Sequence, residues 1–555
     1  MARQYTQVPA EETYDVIVVG FGGAGASAAI AAADAGASVL VLERSYGGGS
    51  TAHSGGVVYA GGGTDVQQSA GVSDSPEGML AYLKQETRGV VSDETLRTFA
   101  EGSPKMIDWL RAQGLEFDSS LCDYKTSYPT NRHYLYYSGN ELTSQAAAVA
   151  RPAARGHRVH AKNFTGAVFY ARLRESALRK GVTVRPLADV RRLIVEGGTV
   201  VGVEFGAPEQ GREPGGWHEK LAKTAGKMMI YYRPVGSRLS KLSDSVQRRR
   251  SRVHRARARG GVVLATGGFG FDKELIGKHA PKYAALNALG PGGENGSAVK
   301  LGAQVEAATD RMDSISGWRF ICPPSAFMEG IVVDGAGQRF ANEQLYGATM
   351  TKPMMEEHGG RGFIITDAAT WNKARGQRRT QSAFFQVPQL AYIFSPFGHR
   401  KANTLEKLAR SCKIDPAGLI RTAGEHDAAL AAGEPDAYGK NDEFRHSLGQ
   451  GPYYAVNISQ DASRTFYPLP FITLGGLVVD EGTGGAVRES GEAILGLYAA
   501  GRAAVGICSN SYVSGLSLAD AVFSGRRAGG HAAGVARSGS GAHKAAGADK
   551  KETTA

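Results

Sequence analysis

The chain has 555 residues, 42% of them apolar and 21% charged, and a formal net charge of +11. That length exceeds what one core of usual size fills, so two globular domains are expected. No run approaches about 18 uninterrupted apolar residues, which excludes a membrane-spanning helix, and the opening ARQYTQVPAEETY lacks the apolar stretch of a secretory signal. Four scattered cysteines (Cys122, Cys322, Cys412 and Cys508) form no C-x-x-C and no zinc or haem spacing. No metal is expected, and reduced thiols in the cytoplasm fit best.

Residues 14–43 predict a strand, a turn, a helix and a second strand. Val16, Ile17, Val18 and Val19 form the β-branched run of a buried strand. Gly20-Phe21-Gly22-Gly23-Ala24-Gly25 has the spacing G-x-G-x-x-G, an alanine-rich helix runs to about Ala35, and Gly36 stops it. Ser38 to Leu42 read as the second parallel strand. Gly20 makes the tight turn, Gly22 lets a pyrophosphate approach the backbone, and Gly25 lets helix and strand pack closely. The helix N-terminus offers unpaired N–H groups to the phosphate. Glu43, 18 residues after Gly25, stands where an acid bonds a ribose hydroxyl, and Arg44 beside it joins the same site.

The run from Gly47 through Gly48, Gly49, Ser50, Thr51, Ala52, His53, Ser54 and Gly55 to Gly56 presents N–H groups and hydroxyls to a polar ligand at close range. Helical patterns fill 76–114, an aromatic-rich loop covers 128–141, and a helix starts near Phe164. A strand at Val182, Thr183 and Val184 leads into a hairpin, 190–196 with 199–205, around Gly197-Gly198. Residues 206–259 then interrupt, with 14 lysines and arginines against 4 acids, so +10 of the +11 resides there. Their ending, RLSKLSDSVQRRRSRVHRARAR, has a helical period with Leu239, Leu242 and Val246 on one side. A solvated surface insertion is one reading. Contact with anionic lipid, worth about 1 kcal/mol per well-placed base, is another. Nucleic acid is a third, against which stands the absence of interleaved aromatics and of a recognition module.

The strand 261–265 ends in Ala-Thr-Gly-Gly, with Thr266 and Gly267 as a second close approach to a nucleotide. From Arg311 to about Ser459 short strands and helices mix, and this is taken as the second domain. Strands resume at 470–480 and 496–502. Leu516 to about Gly530 reads as the closing helix, and 531–555, rich in Ala, Gly, Ser and Lys, as a disordered tail.

The ordered motifs are G-x-G-x-x-G, G-S-T-x-x-S-G-G, V-L-A-T-G-G, G-Q-R-F-A-N-E, T-L-G-G-L and L-Y-A-A-G-R. This set resembles the FAD-dependent fumarate reductase and 3-ketosteroid dehydrogenase superfamily along about residues 14–530. The resemblance implies an α/β, Rossmann-like FAD-binding domain in two sequence pieces, 1–310 and 460–530, around an α+β catalytic cap at 311–459. It also implies that Ala24, Glu43, Ser50, Thr51, Ser54, Gly55, Gly56, Val190, Thr266, Gly267 and Gly501 hold FAD. Ser517 and Leu518 open the closing helix, whose positive end favours negative charge at the flavin pyrimidine by about 1 kcal/mol. Gly49 stands where covalent relatives carry a histidine, and His53 does not match, so FAD is expected to be non-covalent.

Members that bind dicarboxylates clamp them with arginines and histidines. Here Gly347 occupies the place of the arginine, Phe471 and Ile472 precede T-x-G-G, and Ser511-Tyr512-Val513-Ser514-Gly515 replaces N-R-L-G-G. The remaining hydroxyls, Tyr346, Tyr512 and Ser514, suit a neutral, bulky ketone. Each donor to a developing oxyanion is worth on the order of 3 kcal/mol. The spacing of Tyr512 and Ser514, with Tyr346 after N-E, resembles the 3-ketosteroid Δ4-(5α)-dehydrogenases and implies insertion of a C4–C5 double bond. The alternatives are a Δ1-dehydrogenase or another flavin oxidoreductase of cyclic ketones, a dicarboxylate or acrylate reductase, and a protein that keeps FAD structurally and docks on membranes. The expected partner is a steroid or similar ketone, with the electron acceptor open. No nucleic acid is expected, and peripheral contact with the inner membrane face rests on 206–259.

Overall fold

The computed structural model describes residues 12–209, 211, 213–462 and 467–548. Strand β1 (Glu12–Val19), helix α1 (Gly23–Asp34) and strand β2 (Val39–Glu43) form where the sequence places them. Val16, Ile17 and Val18 are fully buried, as continuous β-branched runs in parallel sheets are. The sheet continues through β3 (Thr183–Pro186) and the hairpin β4 (Asp189–Glu196) and β5 (Thr199–Pro208). A pair of helices follows, α2 (Gly216–Tyr231) and α3 (Arg233–Arg250), then β6 (Ser251–Leu264). Far along the chain, β7 (Gly485–Val487), β8 (Ala493–Ala499) and α4 (Leu516–Ala548) complete the layer. The order across the sheet is β7-β8-β6-β1-β2-β3, with β5 on β6 and β4 on β5. The parallel centre with helices against it is the α/β, Rossmann-like class expected.

Two readings of the sequence are corrected. Residues 251–259, taken as the end of a helix, are the first half of β6, paired with β5 from Gly202↔Arg257 to Pro208↔Ser251. The period is 2, not 3.6: Ala256 and Ala258 are buried while Arg255, Arg257 and Arg259 face out. Acids on neighbouring strands meet those charges, with Arg255–Glu204 at 3.1 Å, Arg257–Glu196 at 2.5 Å and Arg259–Asp15 at 2.9 Å. The basic segment is therefore only partly an insertion, since its last stretch belongs to the sheet. The tail is the second correction. Helix α4 continues past Gly530 to Ala548, and Ala532 and Ala533 are fully buried. Residues 549–555 lie outside the described residues.

Small residues make that helix possible. A β-carbon on Gly525 would lie 2.4 Å from the Ala24 carbonyl oxygen, and one on Gly529 would lie 2.1 Å from that of Ala28. Helices α1 and α4 cross backbone to backbone, the close approach that glycine permits. Between the two pieces of the sheet, a separate four-stranded antiparallel sheet orders Ile331–Val333, Phe363–Thr366, Tyr453–Asn457 and Arg400–Ala402. One of its cores gathers Met350, Met354 and Trp371, another Leu408, Ile414 and Leu419. The loop over 128–141 contains one short strand, Leu135–Tyr136, paired with Gly156–Arg158, which fixes Tyr136 in place.

Candidate active site

The glycines of the first turn divide into two that packing requires and one with open space. Gly20 has φ +96° and its β-carbon would lie 2.6 Å from the Ala265 oxygen. One on Gly25 would lie 2.0 Å from the Gly20 oxygen. Gly22 alone of the three has room, its nearest neighbour being Thr51 Oγ1 at 3.5 Å. That open face lies at the start of α1, which has no side-chain cap, so its first N–H groups can serve an anion. Glu43 is fixed by the N–H groups of Phe21 and Ser45, both at 2.8 Å. Thr51 Oγ1 accepts from Gly23 N at 2.9 Å, tying the Gly-Ser run to this turn. The cradle fits a dinucleotide, with bare backbone that would face the phosphates and an oriented carboxylate that would meet a ribose.

Other expected FAD residues gather around it. Ser54 Oγ donates to the Thr51 carbonyl and accepts from Gly56 N. Gly55 and Gly56 are also forced by packing: β-carbons there would meet the Tyr128 ring at 2.5 Å and Thr165 Oγ1 at 2.3 Å. Thr266 Oγ1 accepts from Ala298 N at 3.1 Å. Gly267 and Gly501 have φ +74° and +60°, and a β-carbon on Gly501 would touch that of Ala24 at 2.8 Å, closing the two sequence pieces on each other. Ser517 and Leu518 lie in the first turn of α4. Val190 lies in β4 beside the end of β2, and Arg44 reaches the Gly292 carbonyl at 3.4 Å.

Sequence reasoning missed a buried ion pair inside this cradle. Glu294 accepts from Ser50 Oγ at 2.6 Å and from Arg502 Nη1 at 2.7 Å, joining two of the motifs. The signal was Gly292-Gly293-Glu294-Asn295-Gly296, a second Gly-rich turn ahead of the helix Ser297–Gly302.

At the other end the structure brings Tyr346, Tyr512 and Ser514 together. The rings of Tyr346 and Tyr512 lie 6.2 Å apart, Phe320 packs edge-on to Tyr346 at 5.2 Å, and Trp318 stacks on Tyr512 at 5.3 Å. Tyr136, which sequence reasoning left in a loop, shares a 2.9 Å hydrogen bond with Ser514 Oγ. Burial pushes all three phenols above their usual range. The Ser514 hydroxyl opposes this at Tyr346 and Tyr136, and the Arg502 guanidinium and Gly515 N–H oppose it at Tyr512.

Beneath the hydroxyls sits an unexpected buried carboxyl. Glu86 accepts from Tyr82 Oη at 2.9 Å, Asn140 Nδ2 at 2.7 Å and Ser511 Oγ at 3.2 Å, and its carbonyl accepts from Asn510 Nδ2 at 2.9 Å. Asn140 Oδ1 in turn accepts from Tyr346 N at 2.7 Å. The pair holds both tyrosine-bearing loops from below. Burial raises the Glu86 carboxyl above the ordinary carboxylate range. Among the described residues one group, Cys122, Asp123 and His133, brings possible metal ligands within 4.8 Å of one another. Its Cys122 Sγ and His133 Nδ1 already contact the carbonyls of Tyr124 and Leu121.

Known proteins share this fold. The FAD binding domain family matches residues 15–517. A 3-oxo-5-alpha-steroid 4-dehydrogenase of Comamonas testosteroni is 38% identical over 510 residues, covering 89% of this chain and 93% of its own. The crystal structure of 3-ketosteroid-delta4-(5alpha)-dehydrogenase from Rhodococcus jostii RHA1, in complex with 4-androstene-3,17-dione, superposes with a TM-score of 0.78 at 29% identity, covering 96% of this chain and 98% of that one. A 3-ketosteroid delta1-dehydrogenase from Sterolibacterium denitrificans shares the fold, with a TM-score of 0.61 at 22% identity over 94% of this chain and all of that one. With the glycine cradle, the oriented Glu43 and these likenesses together, the chain belongs to the FAD binding domain family and is an FAD-dependent oxidoreductase related to the steroid dehydrogenases.

Proposed function

We propose that the enzyme desaturates a 5α-3-ketosteroid between C4 and C5. The observation that carries this is a cluster of hydroxyls on an aromatic wall with every nearby guanidinium otherwise engaged. Arg319 is buried and donates to the carbonyls of Ile458 at 2.9 Å and Ser459 at 2.8 Å, while Arg502 is paired with Glu294. At Gly347, where the dicarboxylate branch needs an arginine, a β-carbon would already lie 2.5 Å from the Phe320 ring. Neither of these guanidiniums is free to clamp a planar dianion, and the buried Lys125 of the same cavity is held by the Gly139 carbonyl, whereas an apolar ketone has donors and ring faces. The names of the Comamonas and Rhodococcus relatives support the same reading.

FAD supplies hydride acceptance when bound. The chain's own residues handle the proton and the ketone. Tyr512 takes the proton from C4, with the Arg502 guanidinium and the Gly515 N–H holding charge that burial disfavours. Tyr346 and Ser514 face the C3 oxygen, and the Ser514–Tyr136 bond lets a proton shift along the hydroxyls. The substrate thus loses a proton at C4 and a hydride at C5, and the double bond forms between them. Residues 311–459 serve as the cap over this reaction, and FAD is held without a covalent bond because Gly49 offers no side chain to link. Product analysis with a 5α-3-ketosteroid and an artificial electron acceptor tests the reading: a 4-ene product supports it, and a 1-ene product moves the enzyme to the Δ1 alternative.

The basic helices carry a second, peripheral reading. No helix among the described residues is long and apolar enough to cross a membrane. Yet Trp217, Tyr231 and Tyr232 are exposed around Lys220, Lys223 and Lys227 on the outer face of α2, a pattern suited to an anionic membrane surface. Salt-sensitive binding to anionic vesicles, lost when those lysines become glutamines, is the outcome expected of a cytoplasmic enzyme that visits the membrane to meet an apolar substrate.

A further inference from the structure

The inner face of the same two helices touches something else. Its seats surround the end of the sheet where Glu43 and Val190 mark the adenosine half of the cofactor groove. Gln247 of α3 donates to two carbonyls at once, Arg44 and Leu187, each at 3.1 Å. Those carbonyls follow Glu43 and precede Val190, so one amide ties together the two strand ends that form one bank of the groove. His218 of α2 is fully buried and meets Tyr46 Oη through Nδ1 at 2.8 Å, while its Nε2 meets the Ser243 carbonyl of α3 at 3.0 Å. With Nε2 donating to that carbonyl, Nδ1 accepts from the phenol, and the ring locks α2 to α3 and to the loop after β2. Across the groove, Met229 packs 3.7 Å from the β-carbon position of Gly292, Gly226 faces Pro291, and Arg233 Nη1 reaches Asn287 Oδ1 at 2.8 Å. The pair therefore spans from residues 44–46 and 187 on one side to 287–292 on the other. At its tip a β-carbon on Gly236 would lie 2.3 Å from Met229 N, so the helices are packed backbone to backbone there.

We infer that the helical pair 216–250 is a roof over the adenosine half of the FAD site, and that FAD leaves only when this roof lifts. The inference rests on flavin binding alone and holds whatever the substrate proves to be. The basic segment is then no passive appendage, and removing it opens the cofactor groove. The excision is geometrically simple, because Pro208 and Ser251 are already paired neighbours on β5 and β6 and a two-residue turn can join them.

The experiment measures the release rate of FAD from purified holoenzyme by the recovery of free flavin fluorescence. It compares the full chain, the chain with 209–250 replaced by Asn-Gly, and Gln247→Ala. The expected result is release about tenfold or more faster on excision and about threefold faster in Gln247→Ala, since lost contacts act mainly on off-rates. The melting temperature of the flavin-free protein should stay unchanged in Gln247→Ala. Release at the full-chain rate in both variants would overturn the roof. If the excised chain does not fold, the Tyr46→Phe/Gln247→Ala double variant decides by the same rate: faster release supports the roof, and an unchanged rate overturns it.

Discussion

The two ends of the cofactor groove are built on opposite plans. At the nucleotide end the chain has removed side chains, leaving Gly20, Gly22 and Gly25 so that backbone can meet phosphate and helix can meet strand. At the substrate end it has collected side chains, bringing Tyr136, Tyr346, Tyr512 and Ser514 from three distant segments onto a buried carboxyl-amide pair. The first plan fails when atoms are added, and the second when one oxygen is removed.

The largest effect should come from adding atoms. Gly25→Val places carbon where 2.0 Å already separates the β-carbon position from the Gly20 carbonyl, so the turn and helix α1 cannot keep their places. The expected protein is colourless, with no flavin absorbance after purification. A yellow Gly25→Val variant would break the contrast between the two ends. Next comes the removal of one oxygen. Tyr512→Phe should keep its FAD and slow flavin reduction by a 5α-3-ketosteroid by about 10²-fold or more, the scale of a lost base or oxyanion donor, with Tyr346→Phe close behind. Stopped-flow bleaching of the flavin reads both, and rates near wild type would remove the hydroxyls from the reaction.

A smaller effect sharpens the same end. Tyr136→Phe keeps the ring but takes away the partner of Ser514, and it should slow reduction by about tenfold, less than the loss of either facing phenol. Equal losses in Tyr136→Phe and Ser514→Ala would mark the two hydroxyls as one unit. The smallest effect belongs to Glu86→Gln, which can keep the bonds from Tyr82 and Asn140 and offer its amide to Ser511. Because burial raises this carboxyl, the folded protein holds a proton that the unfolded chain releases, and wild type loses stability as pH rises from the unfolded carboxylate range through the folded one. The glutamine has no such titration. Its melting temperature relative to wild type should therefore rise with pH across that window, and parallel pH curves would show that Glu86 is not the titrating group.

Legibility followed locality. The nucleotide end could be read because its strand, glycines, helix and acid stand within 30 consecutive residues and each type has one physical reason to be there. The hydroxyls proposed to react were legible only through motif positions. The pairings of Glu86 with Asn140 and of Glu294 with Arg502 were not legible, since the partners lie 54 and 208 residues apart, although Glu294 stands in a Gly-rich turn and Arg502 in a motif. The first half of the strand Ser251–Leu264 was hidden by arginine, whose exposed side chains satisfy a helical or an extended surface equally well, while its apolar second half was legible. Glycine misled at the end of the chain for the converse reason. Past Gly530 the Gly- and Ala-rich composition reads as a tail, yet α4 continues there with Ala532 and Ala533 fully buried.

That crossing of α1 and α4 sets a timetable for synthesis. The phosphate-binding helix ends at Asp34 and its partner begins at Leu516. At about 5–20 residues per second, a ribosome needs roughly half a minute to a minute and a half to make what lies between. During that interval the alanine face of α1 has no partner, and the Gly501 contact that closes the cradle does not exist. A nascent chain stalled before Leu516 thus carries the whole glycine motif but lacks the helix that lies on α1, so the cradle is completed only late in synthesis.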